Sequence, residues 1–271
     1  MSGKLYLVAT PIGNLKDITY RAVEVLSSVD IIACEDTRHS RILLDAYNIH
    51  GQKLISYNKN NERNSTNGII KLLKEGKNIA LISDAGMPVI SDPGNILVDC
   101  LIKENLDYTI IPGANAGLSA LVLSGYDATS FCFVGFLSDK NKVKNKQLSD
   151  IKAWPNTCIL YSSCHNINDD LRTLYEHLGE REVCIVKDIT KMFETVSWQK
   201  LSTAHIEDAK GEYVLVIKHG DESGAKGDLH DRYQDLIGQG EDKKMAMKIL
   251  ATEYKLSKSE VYKILLDNKN K

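Results

Sequence analysis

The chain carries only five prolines in 271 residues and none of the common phosphate or metal fingerprints. No run of roughly 18 apolar residues occurs, so no membrane-spanning helix is expected. Lys and Arg number 34 against 36 Asp and Glu, a formal net charge of -2. Global basicity is therefore excluded as a route to nucleic acid or membrane, and an anionic partner must be met by a local patch. The six cysteines, Cys34, Cys100, Cys132, Cys158, Cys164 and Cys184, include no C-x-x-C. Four lie inside apolar runs, which reads as buried thiols of a reducing compartment rather than disulfides or zinc ligands. The first residues enter a strand pattern without a long apolar leader, so a cytoplasmic location is expected. There is no G-x-G-x-x-G, no G-x-x-x-x-G-K-[ST], no G-x-S-x-G and no H-E-x-x-H. A dinucleotide site, a Walker loop, a hydrolase elbow and a zinc protease centre are each disfavoured, and no metal is expected. There is no internal repeat.

What is present is an alternation of short apolar runs with helical periodicity. Strands are expected at 4–9, 30–34, 54–57, 79–83 and 108–111, with helices at 19–29, 37–47, 67–74 and 95–104 between them. Thr19 is the expected N-cap of the first helix. Such a βα series predicts a mostly parallel sheet covered on both faces. A second α/β series follows Pro112-Gly113, with a helix at 116–123, strands at 131–136, 157–161, 183–186 and 213–217, and a helix at 169–178. Residues 220–227 read as a linker. Helices at 242–255 and 260–266 then make a tail resembling a helix-turn-helix, or a packing appendage. The expected organisation is α/β over 1–112 and 113–220, with a helical tail over 225–271.

Four of the five prolines, Pro11, Pro88, Pro93 and Pro112, stand within two residues of a glycine and follow expected strands. Proline fixes φ and glycine permits unusual φ, so together they shape a rigid backbone poor in side chains. In an open α/β sheet, strand exits line the ligand crevice. The longest such exit is Ser83-Asp84-Ala85-Gly86-Met87-Pro88-Val89-Ile90-Ser91-Asp92-Pro93-Gly94. Asp92 and Pro93 suit the N-cap and first position of the helix that follows. That leaves Asp84 to Ile90 to face a ligand. At the second strand exit, Glu35-Asp36-Thr37-Arg38 can orient a substrate or hold a hydroxyl; alternatively Asp36 caps the next helix. Lys140, Lys142, Lys144 and Lys146 alternate through a polar segment. As an extended loop they would offer a row of ammoniums to a phosphate backbone, or they form a solvated loop.

The motifs Leu7-Val8-Ala9-Thr10-Pro11-Ile12-Gly13-Asn14-Leu15, Glu35-Asp36-Thr37-Arg38, Ser83 to Gly94 and Pro112-Gly113-Ala114-Asn115-Ala116 resemble one family. So do Val134-Gly135-Phe136-Leu137 and Asp188-Ile189-Thr190-Lys191-Met192-Phe193-Glu194. It is the ribosomal RNA small-subunit methyltransferase I group of the tetrapyrrole methylase superfamily. The resemblance implies a two-domain class III methyltransferase fold and a homodimer, with S-adenosyl-L-methionine folded between the domains. It implies transfer of a methyl group to the ribose 2′-hydroxyl of a decoding-region cytidine in small-subunit (16S) rRNA, naked or in the assembled subunit. By motif match, cofactor contacts fall on Pro11, Ile12, Ala85, Gly86, Met87, Ile90, Asn115 and Ala116, and near Tyr161, Ser162 and Cys184, with Asp84 on the same cofactor-facing loop. Strand-exit position and motif match together point to Glu35, Asp36 and Lys191 for handling the hydroxyl proton. Arg38 would orient a phosphate, and the four lysines would contact RNA. The family usually has Thr at the position of Met87, and an acid and an arginine at the positions of Ser162 and Asn166. A small acceptor such as a tetrapyrrole and a non-enzymatic nucleic-acid-binding protein are the alternatives.

Overall fold

Five four-residue strands, all but β3 predominantly apolar, build the first sheet: β1 (Leu5–Val8), β2 (Ile31–Cys34), β3 (Lys53–Ser56), β4 (Ile79–Ile82) and β5 (Tyr108–Ile111). The computed structural model describes residues 2–220, 229–238, 240–254 and 256–267. Pairing is parallel throughout, in the order β3-β2-β4-β1-β5. β2 and β4 are buried along their whole length because helices cover both faces. On one face α1 (Tyr20–Ser28) and α2 (Thr37–Ala46) pack Ala22, Leu26 and Leu44 against Val8, Ile32 and Ile82. On the other, α3 (Glu62–Lys74) and α4 (Asn95–Lys103) pack Ile69, Leu73, Leu97 and Leu101 against Leu5, Ala33 and Leu81. The neighbours β1 and β4 thus send their helices to opposite faces. That divergence opens a crevice at their carboxyl ends.

The second sheet comprises β6 (Phe131–Phe136), β7 (Thr157–Ser163), β8 (Glu182–Lys187), β9 (Thr195–Lys200) and β10 (Glu212–Ile217), in the order β6-β7-β10-β8-β9. Only the β6–β7 pair is parallel. α6 (Asn141–Ala153) and α7 (Ile167–Leu178) cover one face through Leu148, Ile151, Leu171 and Leu174. α5 (Ala116–Ser124) covers the other with Ala120 and Leu121. Ile12, just past β1, packs into that same face, so the exit of β1 reaches the core of the second sheet.

The chain divides into two compact units, Met1–His219 and Gly220–Lys271, and the first holds both sheets. Within the second, α8 (Leu229–Gly238), α9 (Lys243–Glu253) and α10 (Lys258–Asp267) pack around Leu229, Leu236, Ala246, Leu250 and Val261. Three helices stand where the pattern suggested two. Ser257 and Glu260 form a capping box at the start of α10. The expected linker lies outside the described residues after Gly220.

Three local expectations change. The lysine segment is helix α6, not an extended loop, because Leu148 and Ile151 anchor it to the core. Helical spacing then splits the row: Lys142 and Lys146 share a face, and Lys144 turns away from them. α3 starts at Glu62 rather than at residue 67. Asp92 does not cap α4. Val89, Ser91 and Gly94 adopt φ of 76°, 65° and 139°, and the helix starts at Asn95, as expected, with Gly94 rather than Asp92 as N-cap. The Glu62 carboxylate, from α3, accepts from Gly94 N–H at 2.8 Å in place of a local cap.

Candidate active site

The crevice is a cavity of about 450 Å³, in the size range of small-molecule sites. Its floor is backbone. Thr10 and Gly86 form an isolated antiparallel bridge between the exits of β1 and β4. Gly86 sits at φ +78°, and a Cβ there would lie 3.1 Å from Ile12 Cγ2, so only glycine lets this segment come so close. Ile12, Asp84, Ala85, Gly86, Met87 and Ile90 line the cavity, with Asn115 and Ala116 from the first turn of α5. Asn115 caps that helix, accepting from Leu118 N–H at 2.9 Å.

The opposite wall comes from the second sheet. The Tyr161 hydroxyl accepts from Gly117 N–H at 3.2 Å, and its ring meets Phe133 and Phe136 edge-on at 5.0 and 5.5 Å. Burial pushes the Tyr161 phenol up, keeping it neutral. Ser162 lines the cavity, but its hydroxyl donates to Asp170 at 2.6 Å. Of the expected cofactor contacts, Pro11 and Cys184 are absent from the lining. Pro11 is buried directly before Ile12, and Cys184 is buried in β8, its thiol pushed up to about 11 by that burial. Lining residues not anticipated are Asp92, Phe136, Val186, Ile189, Glu212 and their neighbours. Asp92 carried a signal, its place in the Gly-Pro loop, but cap chemistry accounted for it. The others belong to the facing sheet, which local patterns do not locate.

Glu35, at the exit of β2, keeps company with the cavity carboxylates. Burial, reinforced by the negative charges of Asp92 and Asp84, raises its carboxyl to about 7, with Lys59 opposing. Its Oε1 is buried without a hydrogen-bond partner. Burial also raises Asp92, against the Ser83 hydroxyl and Lys59. Asp36 behaves oppositely. Its carboxylate accepts from the Arg38 guanidinium at 2.9 Å and from Arg38 N–H at 2.8 Å, which caps α2 and holds it down at about 2. Lys191 lies on the β8–β9 loop, its Nζ 2.8 Å from Glu212 and 3.2 Å from Asp188. Burial pulls its pKa down, but those acids outweigh it and keep the ammonium charged. Its Cγ is so placed that a Cβ on Gly13 would lie 2.5 Å away. Glu35, Asp36 and Lys191 are all absent from the cavity lining; Glu35 follows β2 of the first sheet and Lys191 follows β8 of the second, the one a carboxyl raised toward neutrality and the other a paired cation.

Comparison with known proteins bears on the family and the fold. Residues 4–205 match the tetrapyrrole (corrin/porphyrin) methylase family. The chain is 38% identical to the ribosomal RNA small subunit methyltransferase I of Bacillus subtilis (strain 168), covering 96% of this chain and 93% of that protein. It is 40% identical to the protein of the same name from Synechocystis sp. (strain ATCC 27184 / PCC 6803 / Kazusa), covering 98% of each. Among solved structures, the uroporphyrin-III-C-methyltransferase from Thermus thermophilus superposes with a TM-score of 0.57 at 19% identity, covering 80% of this chain and 94% of that one, a likeness of fold. The chain belongs to the tetrapyrrole methylase family and, within it, to the ribosomal RNA small subunit methyltransferase I group.

Proposed function

We propose that this protein methylates small-subunit ribosomal RNA, using S-adenosyl-L-methionine, at the ribose 2′-hydroxyl of a decoding-region cytidine. The observation that supports this most is the backbone-floored crevice between two sheets, with a carboxyl of raised pKa at its edge. The chemistry of the lining suits the cofactor: apolar walls at Ile12, Ile90, Tyr161 and Val186, carboxylates at Asp84 and Asp92 for a cation, and close backbone approach at Gly86. Ala85, Gly86 and Met87 with Asn115 and Ala116 would hold it from one side, Tyr161 and Ser162 from the other, and Pro11 and Cys184 from behind. When bound, the cofactor supplies an already activated methyl group.

The protein's own part is alignment and proton handling. Holding hydroxyl and donor in register supplies roughly 7–11 kcal/mol of barrier reduction. Glu35, with a carboxyl near neutrality, is matched to accept the hydroxyl proton, worth about 10²–10⁴-fold. Lys191 offers fixed positive charge beside the developing alkoxide. Asp36 holds Arg38 toward a backbone phosphate, a positioning role. The partner copy of a homodimer fits the exposed apolar residues of α5 and β6, with Val122 at 78% exposure. Among the described residues no helix is long and apolar enough to cross a membrane; the proposed setting is cytoplasmic.

A methyl-transfer assay with radiolabelled cofactor tests the reading. Small ribosomal subunits, deproteinised rRNA and a tetrapyrrole compete as acceptors, and nuclease digestion with mass spectrometry locates the label. Label on a cytidine ribose is expected. Label on the tetrapyrrole, or duplex-DNA binding without cofactor affinity, overturns it. Sedimentation reads the oligomeric state.

A further inference from the structure

Met192 and Phe193 stand at the tip of the β8–β9 loop, 90% and 74% exposed, and nothing in the crevice chemistry uses them. The loop that carries them is closely tied. Asp188 N–H donates to the Glu212 carbonyl at 2.9 Å, and Lys191 N–H to the Asp188 carbonyl at 2.9 Å. Glu212 N–H donates to Asp188 Oδ1 at 3.3 Å, and Thr190 N–H to Glu194 Oε2 at 2.5 Å. The Lys191 ammonium clamps Asp188 and Glu212 together. The Asp188 carboxylate fills the space that a side chain at position 211 would need.

Within this frame Asp188 and Thr190 hold φ of 49° and 65°. Non-glycine residues persist there only when their surroundings over-determine them. The base of the loop is cavity wall, since Ile189 and Glu212 line it. A lone exposed apolar residue is ordinary. Two adjacent ones, on a strained and closely bonded loop whose base borders a cavity, do nothing for folding, and polar residues would meet water better.

We infer that Phe193, with Met192 beside it, is a stacking platform for an unstacked base of the acceptor RNA next to the methylated nucleotide. The inference rests on the reading of an RNA acceptor. Single-stranded RNA is recognised chiefly by splaying its bases onto aromatic faces. A flexible, polarisable thioether beside the ring adapts to whichever base edge arrives.

The test compares Phe193→Ala, Phe193→Leu and Phe193→Tyr with the wild type. Affinity is measured for deproteinised small-subunit rRNA and for intact small subunits, and cofactor affinity by calorimetry. Phe193→Ala is expected to weaken RNA binding about 5- to 150-fold. Phe193→Leu, equally apolar, stays impaired, while Phe193→Tyr returns close to wild type; cofactor affinity does not move. A leucine variant as good as the tyrosine one, or three unimpaired variants on an active wild-type background, overturns the inference alone. Dissociation of a dimer by Phe193→Ala also overturns it, by making the tip a protein interface. A wild type that neither binds nor methylates RNA removes the RNA reading and this inference together.

Discussion

Thr10 and Gly86 exchange both backbone hydrogen bonds, Thr10 N–H donating to the Gly86 carbonyl at 2.8 Å and Gly86 N–H to the Thr10 carbonyl at 3.1 Å. This pair ties the exit of β1 to the exit of β4 and sets the height of the cavity floor. Gly86→Val must adopt a left-handed backbone and press on Ile12. Cofactor binding in calorimetric titration is expected to be lost. Undiminished affinity would move the cofactor elsewhere.

Glu35 links pH to both stability and turnover. Its folded pKa, about 7 against an ordinary 4.5, is raised, so the folded state binds the proton more tightly than the unfolded state. The contribution is full below the unfolded pKa and is lost as pH rises through 7. The shift corresponds to ~3 kcal/mol, of which partial exposure leaves about 1–2. Glu35→Gln should therefore be more stable than wild type by that amount at pH 8 and equal to it at pH 4 in urea melts. It should also lose about 10²–10⁴ of turnover, while wild-type turnover falls as pH drops through 7. A variant unchanged in both respects removes Glu35 from the mechanism.

Asp36 separates capping from chemistry. Asn caps as well as Asp, so Asp36→Asn should keep wild-type thermal stability, whereas Asp36→Ala loses about 1 kcal/mol. With its carboxylate committed to Arg38, Asp36→Asn should weaken rRNA affinity more than it lowers turnover at saturation. A collapse of saturated turnover would instead make Asp36 the proton acceptor.

On α6, Lys142 and Lys146 are exposed and one helical turn apart, while Lys144 is partly covered. The double variant Lys142→Ala/Lys146→Ala should flatten the salt dependence of rRNA binding by about 0.7 per lost contact. Lys144→Ala should leave the slope alone. Equal effects from all three would restore an unstructured basic row.

The first sheet was legible because its strands are short apolar runs closed by Thr19, Asp36 and the Gly-Pro exits, all local signals. α6 was not, since only Leu148 and Ile151 of its thirteen residues reach the core cluster and its lysines fall two apart. β9 is a half-exposed edge strand whose apolar alternation is only two residues deep, Val196 and Trp198. Asp92 had the right local chemistry for a cap, yet Glu62, thirty residues earlier, took that role. The near wall of the crevice could be read from strand exits. The far wall, Phe136, Val186, Ile189 and Glu212, depends on which sheet faces which, and that is decided by tertiary packing alone.

Glu212, to which Asp188 and Lys191 are bonded, opens β10, and β10 is held along its length by β7 on one side and β8 on the other. The β8–β9 loop is thereby fastened to the middle of a sheet. If Phe193 stacks a base as inferred, a loop so fastened leaves most of the ordering entropy of that contact to the RNA strand rather than to the protein.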